Sequence, residues 1–215
     1  MNDKKKLLLG IILFGSLWGG LEAFGIRLMD SLSFSPKSPI LAATGILILG
    51  MARVIFPRMG STFLIGLFAA GFKFLTLPQI FMCQVEAVIL QGLVLEIAFS
   101  YAQAKNLSRW YSLGVAGIIS MYVNYLLFVI LQTYIVLNPF WVAKGFSGVL
   151  NFTLVEGSLA AIMCFFFINL GYAWGNPLLQ LLASGRHLKQ KPTGLQLWWF
   201  HWVSGFQGLC FIVKN

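Results

Sequence analysis

Acidic side chains are scarce in this chain of 215 residues, which contains only 6 Asp and Glu, and all charged types together make up 10% of it. A soluble globular domain carries about 25% charged residues. Enzymes that depend on clusters of carboxylates are therefore not expected. With 59% hydrophobic residues the chain is also too apolar for one soluble domain, and its composition predicts a multipass helical membrane protein.

Cysteine and histidine are also few, and their spacing matches no known type of site. The three cysteines, Cys83, Cys164 and Cys210, form no CxxC or Cys/His pattern, so neither a disulfide framework nor a zinc site is expected. The sequence contains no HExxH, GxSxG or GxxxxGK(S/T) motif, and no Asp lies inside a predicted span. We therefore expect no catalytic residue, no bound metal and no cofactor, and we do not expect an enzyme.

Six apolar runs are long enough to cross a bilayer, which takes about 20 helical residues at a rise of 1.5 Å each. Charged residues, prolines or polar turns bound every run. The runs are 7–29, 39–56, 60–77, 82–103, 110–135 and 148–174. The predicted fold is therefore all-α, with residues 1–177 forming a bundle of six transmembrane helices.

Residues 178–215 form a separate basic and aromatic segment. Trp198, Trp199 and Trp202 crowd at one end of its apolar part, and tryptophan prefers the headgroup level of a membrane. Apolar side chains recur there at helical spacing. We expect an amphipathic helix that lies in the membrane interface, with a seventh span as the alternative.

The distribution of Lys and Arg predicts the orientation. With the N-terminus inside, the cytoplasmic ends of the spans carry most of these residues, whereas the outer connections carry only Arg27, Lys37 and Lys144. We therefore expect a multipass protein of the cell membrane with its N-terminus in the cytoplasm. A cleaved signal peptide is disfavoured, because the apolar run after Lys6 is long for one. The net charge of +9 indicates no nucleic acid partner, because the basic residues form no single face.

Polar residues inside the spans are the candidate functional residues, because each is costly in a bilayer unless it is paired or faces a cavity. Helical rise places most of them in the outer half of the membrane, while Glu96 lies toward the inner side. The outer candidates are Glu22, Lys73, Cys83, Glu86, Asn124, Asn151 and Glu156. We expect them to converge on an outward-open pocket for a small polar molecule, and the excess of carboxylates over lysine favours a cationic one. The alternative is that they only hold helices together, with Cys83 as a small buried hydrophobic residue.

Small residues follow one face of the first span at four-residue spacing, at Gly15, Gly19 and Ala23. Such a stripe lets another helix approach closely. Packing within the bundle is the first interpretation, and the functional alternative is that these three residues dock a separate membrane subunit.

This assembly resembles the substrate-binding S components of energy-coupling factor transporters in its length, its six short-looped spans and the polar cluster in its outward half. The residues that carry the resemblance are Gly15, Gly19, Ala23, Glu22, Lys73, Glu86 and Glu156. The family's usual first-helix pattern is AxxxA, whereas this chain has GxxxGxxxA. No vitamin-specific signature is present, so the resemblance does not identify the ligand.

The resemblance implies that the protein captures a micronutrient, such as a vitamin or its precursor, from outside the cell. It also implies that a separate membrane coupling subunit and cytoplasmic ATPases power its uptake. Two other functions stay open. One is a structural or assembly protein of the lipid bilayer, and the other is a carrier for small ions or protons that uses Lys73 and its carboxylate neighbours.

Overall fold

The computed structural model describes residues 3–33, 36–76, 82–106 and 110–184, and every regular element in these residues is a helix. The helices are α1 (Asp3–Ser31), α2 (Lys37–Ile55), α3 (Ser61–Thr76), α4 (Met82–Ala104), α5 (Trp110–Ile130), α6 (Pro139–Asn151) and α7 (Gly157–Ser184). A π-helical turn, Leu131–Ile135, extends α5, and a second one, Phe152–Glu156, joins α6 to α7. The predicted all-α bundle is confirmed.

The length and apolarity of the helices identify a multipass membrane protein. In the described part of the chain, five helical stretches are long and apolar enough to cross a membrane. The third predicted span, 60–77, corresponds to α3, which is shorter than the others, with 16 residues and a length of about 24 Å. Large apolar side chains such as Leu13, Phe24 and Ile97 are exposed on the outside of the bundle, where lipid would cover them.

Close helix contacts decide which helix ends meet. α2 packs mainly along α7, α1 packs on α3, and α3 packs on α4. Gly66 of α3 and Gly92 of α4 approach so closely that a Cβ atom on either would lie 3.0 Å from the Cα atom of the other. Small residues permit such contacts between membrane helices. As a result, the ends of α1, α3 and α5 and the starts of α2 and α4 lie together at one end of the bundle, which we call the pocket end.

The small-residue stripe of α1 packs inside the bundle. A Cβ atom on Gly15 would lie 2.8 Å from Phe68, and one on Gly19 would lie 2.7 Å from the carbonyl oxygen of Ala69, both in α3. Ala23, one turn further along, is also buried. α3 fills the space beside Gly15 and Gly19, which agrees with packing inside the bundle, and docking of a separate subunit stays a prediction.

Two helices extend beyond their predicted bounds. α6 begins at Pro139, inside the predicted connection between the fifth and sixth spans, and its backbone is broken at Gly145, where φ is 58°. α7 continues through Pro177 to Ser184, so the helix crosses the predicted domain boundary at residue 177. The predicted interfacial helix lies almost entirely in 185–215, outside the described residues.

Candidate ligand pocket

A cavity of about 430 Å³ opens at the pocket end of the bundle. Small-molecule sites have volumes of about 300–1,000 Å³ and combine apolar walls with a few polar groups. The walls come from α1 through α6 and from the π turn that precedes α7. The charged and amide side chains of the lining are Glu22, Asp30, Lys37, Lys73, Gln84, Gln91 and Asn124.

A buried ion pair joins α1 to α3 at this cavity. The Nζ atom of Lys73 lies 2.8 Å from the Oε2 atom of Glu22, and the side chains are only 3% and 5% exposed. The indole nitrogen of Trp18 donates a longer hydrogen bond, 3.4 Å, to the other carboxylate oxygen. The ammonium group has three protons and the carboxylate about four acceptor positions, so both keep unused hydrogen-bonding capacity beside the cavity.

A second ion pair lies at the mouth of the pocket. Lys37, at the start of α2, pairs with Asp30, near the end of α1, and both side chains are exposed. The charged lining residues are therefore two acids and two lysines, and each acid is paired with a lysine. The pocket lining has no net charge, which differs from the predicted excess of carboxylates.

Asn124 carries an unmet hydrogen-bond acceptor. Its side chain comes from α5, lines the cavity and is only 5% exposed. Its Oδ1 atom accepts no hydrogen bond from the residues that the structure describes. Buried polar atoms are nearly always paired, because an unpaired one costs about 1–3 kcal/mol. A donor from outside the protein is the partner that this oxygen lacks.

Three other polar residues of the pocket are hydrogen-bonded to the protein itself. The hydroxyl groups of Ser38 and Tyr125 lie 2.7 Å apart and connect α2 to α5. The side-chain amide nitrogen of Gln91, in α4, donates to the carbonyl oxygen of Ala42, in α2, at 2.8 Å. These bonds fix the helices that shape the cavity, and they leave Asn124 as the contrasting case.

Aromatic rings form one wall of the pocket. Tyr125 and Phe152 are stacked with ring centroids 5.2 Å apart, and Trp141 meets Phe152 edge-on at 4.8 Å. Phe128 packs edge-on against Trp141. Trp141 reaches this wall because α6 begins early: the Asn138 side chain caps the helix by accepting a hydrogen bond from the backbone nitrogen of Phe140 at 3.1 Å.

The structure brings together four of the seven predicted pocket residues, which are Glu22, Lys73, Cys83 and Asn124. The other three do not line the cavity. Glu86 accepts a hydrogen bond from the side-chain amide of Gln132, whose oxygen accepts in turn from Asn138. Glu156 is half-buried and Asn151 is exposed.

The aromatic residues of the pocket were not predicted. Tyr125, Phe128, Trp141 and Phe152 lie in a chain with 20 Phe, 7 Trp and 6 Tyr, so their type alone does not distinguish them. The one available signal was Asn138 followed by Pro139, a favoured pair at a helix start that would have extended the sixth helix toward Trp141.

A second buried polar cluster lies at the opposite end of the bundle. Nη1 of Arg53, in α2, lies 3.0 Å from Oε1 of Glu96, in α4. The backbone nitrogen of Thr62, in α3, donates to the other carboxylate oxygen at 2.9 Å. Arg53 also donates to Ser100 and Gln103 of α4. Because these partners come from three helices, the cluster ties them together, which agrees with the predicted separation of Glu96 from the outer candidates.

No metal centre is built by the described residues, where no group of three or more His, Cys, Asp or Glu side chains could hold an ion. Comparison of the chain with protein-family models, curated proteins and solved structures finds no match.

Proposed function

We propose that this membrane protein binds a small polar organic molecule in the cavity at its pocket end. The observation that carries the proposal is a cavity of ligand size whose lining includes Asn124, a buried residue with an unmet Oδ1 acceptor. A ligand that donates one hydrogen bond to this oxygen would remove its desolvation cost.

The contrast with the buried ion pairs favours binding over helix association. Glu22 is paired with Lys73, and Arg53 is paired with Glu96. Asn124 Oδ1 has no such partner, and the space beside it is unfilled by side chains. A purely structural protein accounts for the two ion pairs and leaves the cavity without a role.

We extend the proposal to uptake across the cell membrane. The predicted cytoplasmic N-terminus puts the pocket end on the outside, since α1, α3 and α5 all end there. The chain has no phosphate-binding loop. A membrane coupling subunit and cytoplasmic ATPases would therefore supply the energy, as the resemblance to energy-coupling factor S components implies, with a micronutrient as the cargo.

The proposal is tested by untargeted mass spectrometry of the small molecules released from the purified protein. We expect the wild-type protein to release one organic molecule in near-stoichiometric amount. Ala87→Phe adds a ring to the lining of the cavity and should remove that molecule. Ile97→Phe adds the same ring to the exposed face of the same helix, where 63% of Ile97 is accessible, and should retain it.

Size-exclusion chromatography of both variants checks that they remain folded. An unchanged amount of the molecule in Ala87→Phe would place its binding elsewhere. Wild-type protein without any such molecule would favour a structural role.

A further inference from the structure

We infer that the ligand is an uncharged, planar ring compound with an amide-like group, that is, a hydrogen-bond donor next to an acceptor. The inference rests on the proposed function and adds the chemical class of the ligand. Three properties of the pocket lead to it: its charge balance, its unused hydrogen-bonding positions and its aromatic wall.

The charge balance disfavours an ionic ligand. Deep in the pocket the only charges among the lining residues are those of Glu22 and Lys73, which already neutralise each other at 2.8 Å. A cation drawn to the carboxylate of Glu22 would also meet the ammonium of Lys73. An anion drawn to Lys73 would also meet the carboxylate of Glu22. Either ligand would stay without a counterion in a buried site, and such a charge is strongly unfavourable.

The unused hydrogen-bonding positions require both a donor and an acceptor from the ligand. The Oδ1 atom of Asn124 needs a donor. Lys73 has protons beyond the one it gives to Glu22, and these need an acceptor. An amide, a lactam or a ring nitrogen beside a carbonyl supplies both on one edge of a planar group, whereas an ether or a hydrocarbon does not.

The aromatic wall favours a flat ligand. Tyr125 and Phe152 lie nearly parallel, at an interplanar angle of 29°, and both line the cavity. Trp141 stands edge-on to Phe152 and closes the same side. Planar rings pack on such surfaces in offset-stacked or edge-to-face arrangements, each adding to the area that is buried. The volume of about 430 Å³ is near the lower end of ligand sites, which suits a molecule of one or two rings.

Three probes of nearly the same shape separate the charge classes. Benzamide is neutral and has a donor beside an acceptor, benzoate is an anion without a donor, and benzamidine is a cation at neutral pH without an acceptor. Binding to the purified protein in lipid nanodiscs is measured by ligand-observed NMR, with toluene to subtract partitioning into lipid. We expect saturable binding of benzamide, at least tenfold tighter than that of either charged probe.

Two variants of Asn124 connect the preference to the pocket. Asn124→Leu keeps the approximate volume and removes the acceptor, so the affinity for benzamide should fall about three- to tenfold. Asn124→Asp adds an unpaired carboxylate and should shift the preference from benzamide to benzamidine. Asn169→Leu is the matched control, because Asn169 is an intramembrane asparagine of α7 whose Oδ1 atom also lacks a partner but which does not line the cavity.

The possible outcomes distinguish the ligand class from the proposed function. If benzoate or benzamidine binds tightest and Asn124→Leu weakens that binding, the neutral class is overturned while the pocket stands. If no probe binds but the protein releases an organic molecule in mass spectrometry, the planar amide class is again overturned and the proposed function stands. If no probe binds and nothing is released, both fail. Equal losses of benzamide affinity in Asn124→Leu and Asn169→Leu would contradict the assignment of Asn124 as the residue that accepts a hydrogen bond from the ligand.

Discussion

At the scale of single residues, the pair of Glu22 and Lys73 has the largest energetic consequence. Both side chains are almost fully buried, so removing one partner leaves an uncompensated charge inside the bundle. Breaking a buried ion pair in this way costs about 3–5 kcal/mol. We expect Lys73→Met to lower stability by about that amount, and the double variant Glu22→Gln with Lys73→Met to recover most of the loss.

Thermal unfolding in detergent measures both effects. Lys37→Met is the matched control, because its pair with Asp30 is exposed and an exposed pair contributes about 0–1 kcal/mol. Equal losses in Lys73→Met and Lys37→Met would contradict the buried pairing.

Which polar residues meet was only partly predictable. Helical rise gives the depth of a residue in the membrane, and it correctly placed Glu22 and Lys73 at one level. Depth does not say which direction a side chain points, which depends on how the helices pack. Glu86 therefore lies near the predicted level but bonds to Gln132 outside the pocket lining. Arg53 lies in the last turn of α2, as predicted for a span end, but its side chain turns inward to Glu96.

At the scale of helices, neighbouring glycines in α1 make a direct test of the packing. A Cβ atom on Gly19 would lie 2.7 Å from a backbone oxygen of α3, whereas one on Gly20 would lie 3.8 Å from a ring atom of Phe72. We expect Gly19→Ala to destabilise the protein by about 1–3 kcal/mol through overpacking. Gly20→Ala should be neutral or stabilising by up to about 1 kcal/mol, because alanine favours a helix.

The same thermal unfolding assay compares the two variants. Similar midpoints for Gly19→Ala and Gly20→Ala would contradict the close contact of α1 with α3 and reopen that face to a partner subunit.

Helix positions were more predictable than helix ends. The length of an apolar run that can cross a bilayer is set by the bilayer itself, so the run 82–103 matches α4 (Met82–Ala104) almost residue for residue. The start of α6 was missed, because Asn138-Pro139 also reads as a turn. Its break at Gly145 has a positive φ that few residues other than glycine adopt, and hydrophobicity carries no signal for it.

At the scale of the whole molecule, two polar sites lie at opposite ends of an apolar core. The Arg53 and Glu96 cluster is fully bonded and ties α2, α3 and α4 together. The pocket at the other end includes Asn124, whose buried Oδ1 atom has no hydrogen-bond partner among the described residues. Between them lie fully buried residues such as Trp18, Ile46 and Leu95. This arrangement fits the proposal that the protein opens a binding site on one side of the membrane.

The accessibility of Cys83 tests this claim most directly. Cys83 is half-buried and lines the pocket, whereas Cys164 is fully buried, so Cys210→Ser leaves Cys83 as the target among the three cysteines. A membrane-impermeant methanethiosulfonate reagent is applied to intact cells, and the protein is purified for mass spectrometry. We predict that Cys83 is modified from outside and that the modified protein no longer carries the small molecule released by unmodified protein. Modification that occurs only in inside-out vesicles, or a modified protein that retains the molecule in full, would contradict an outward-facing ligand pocket.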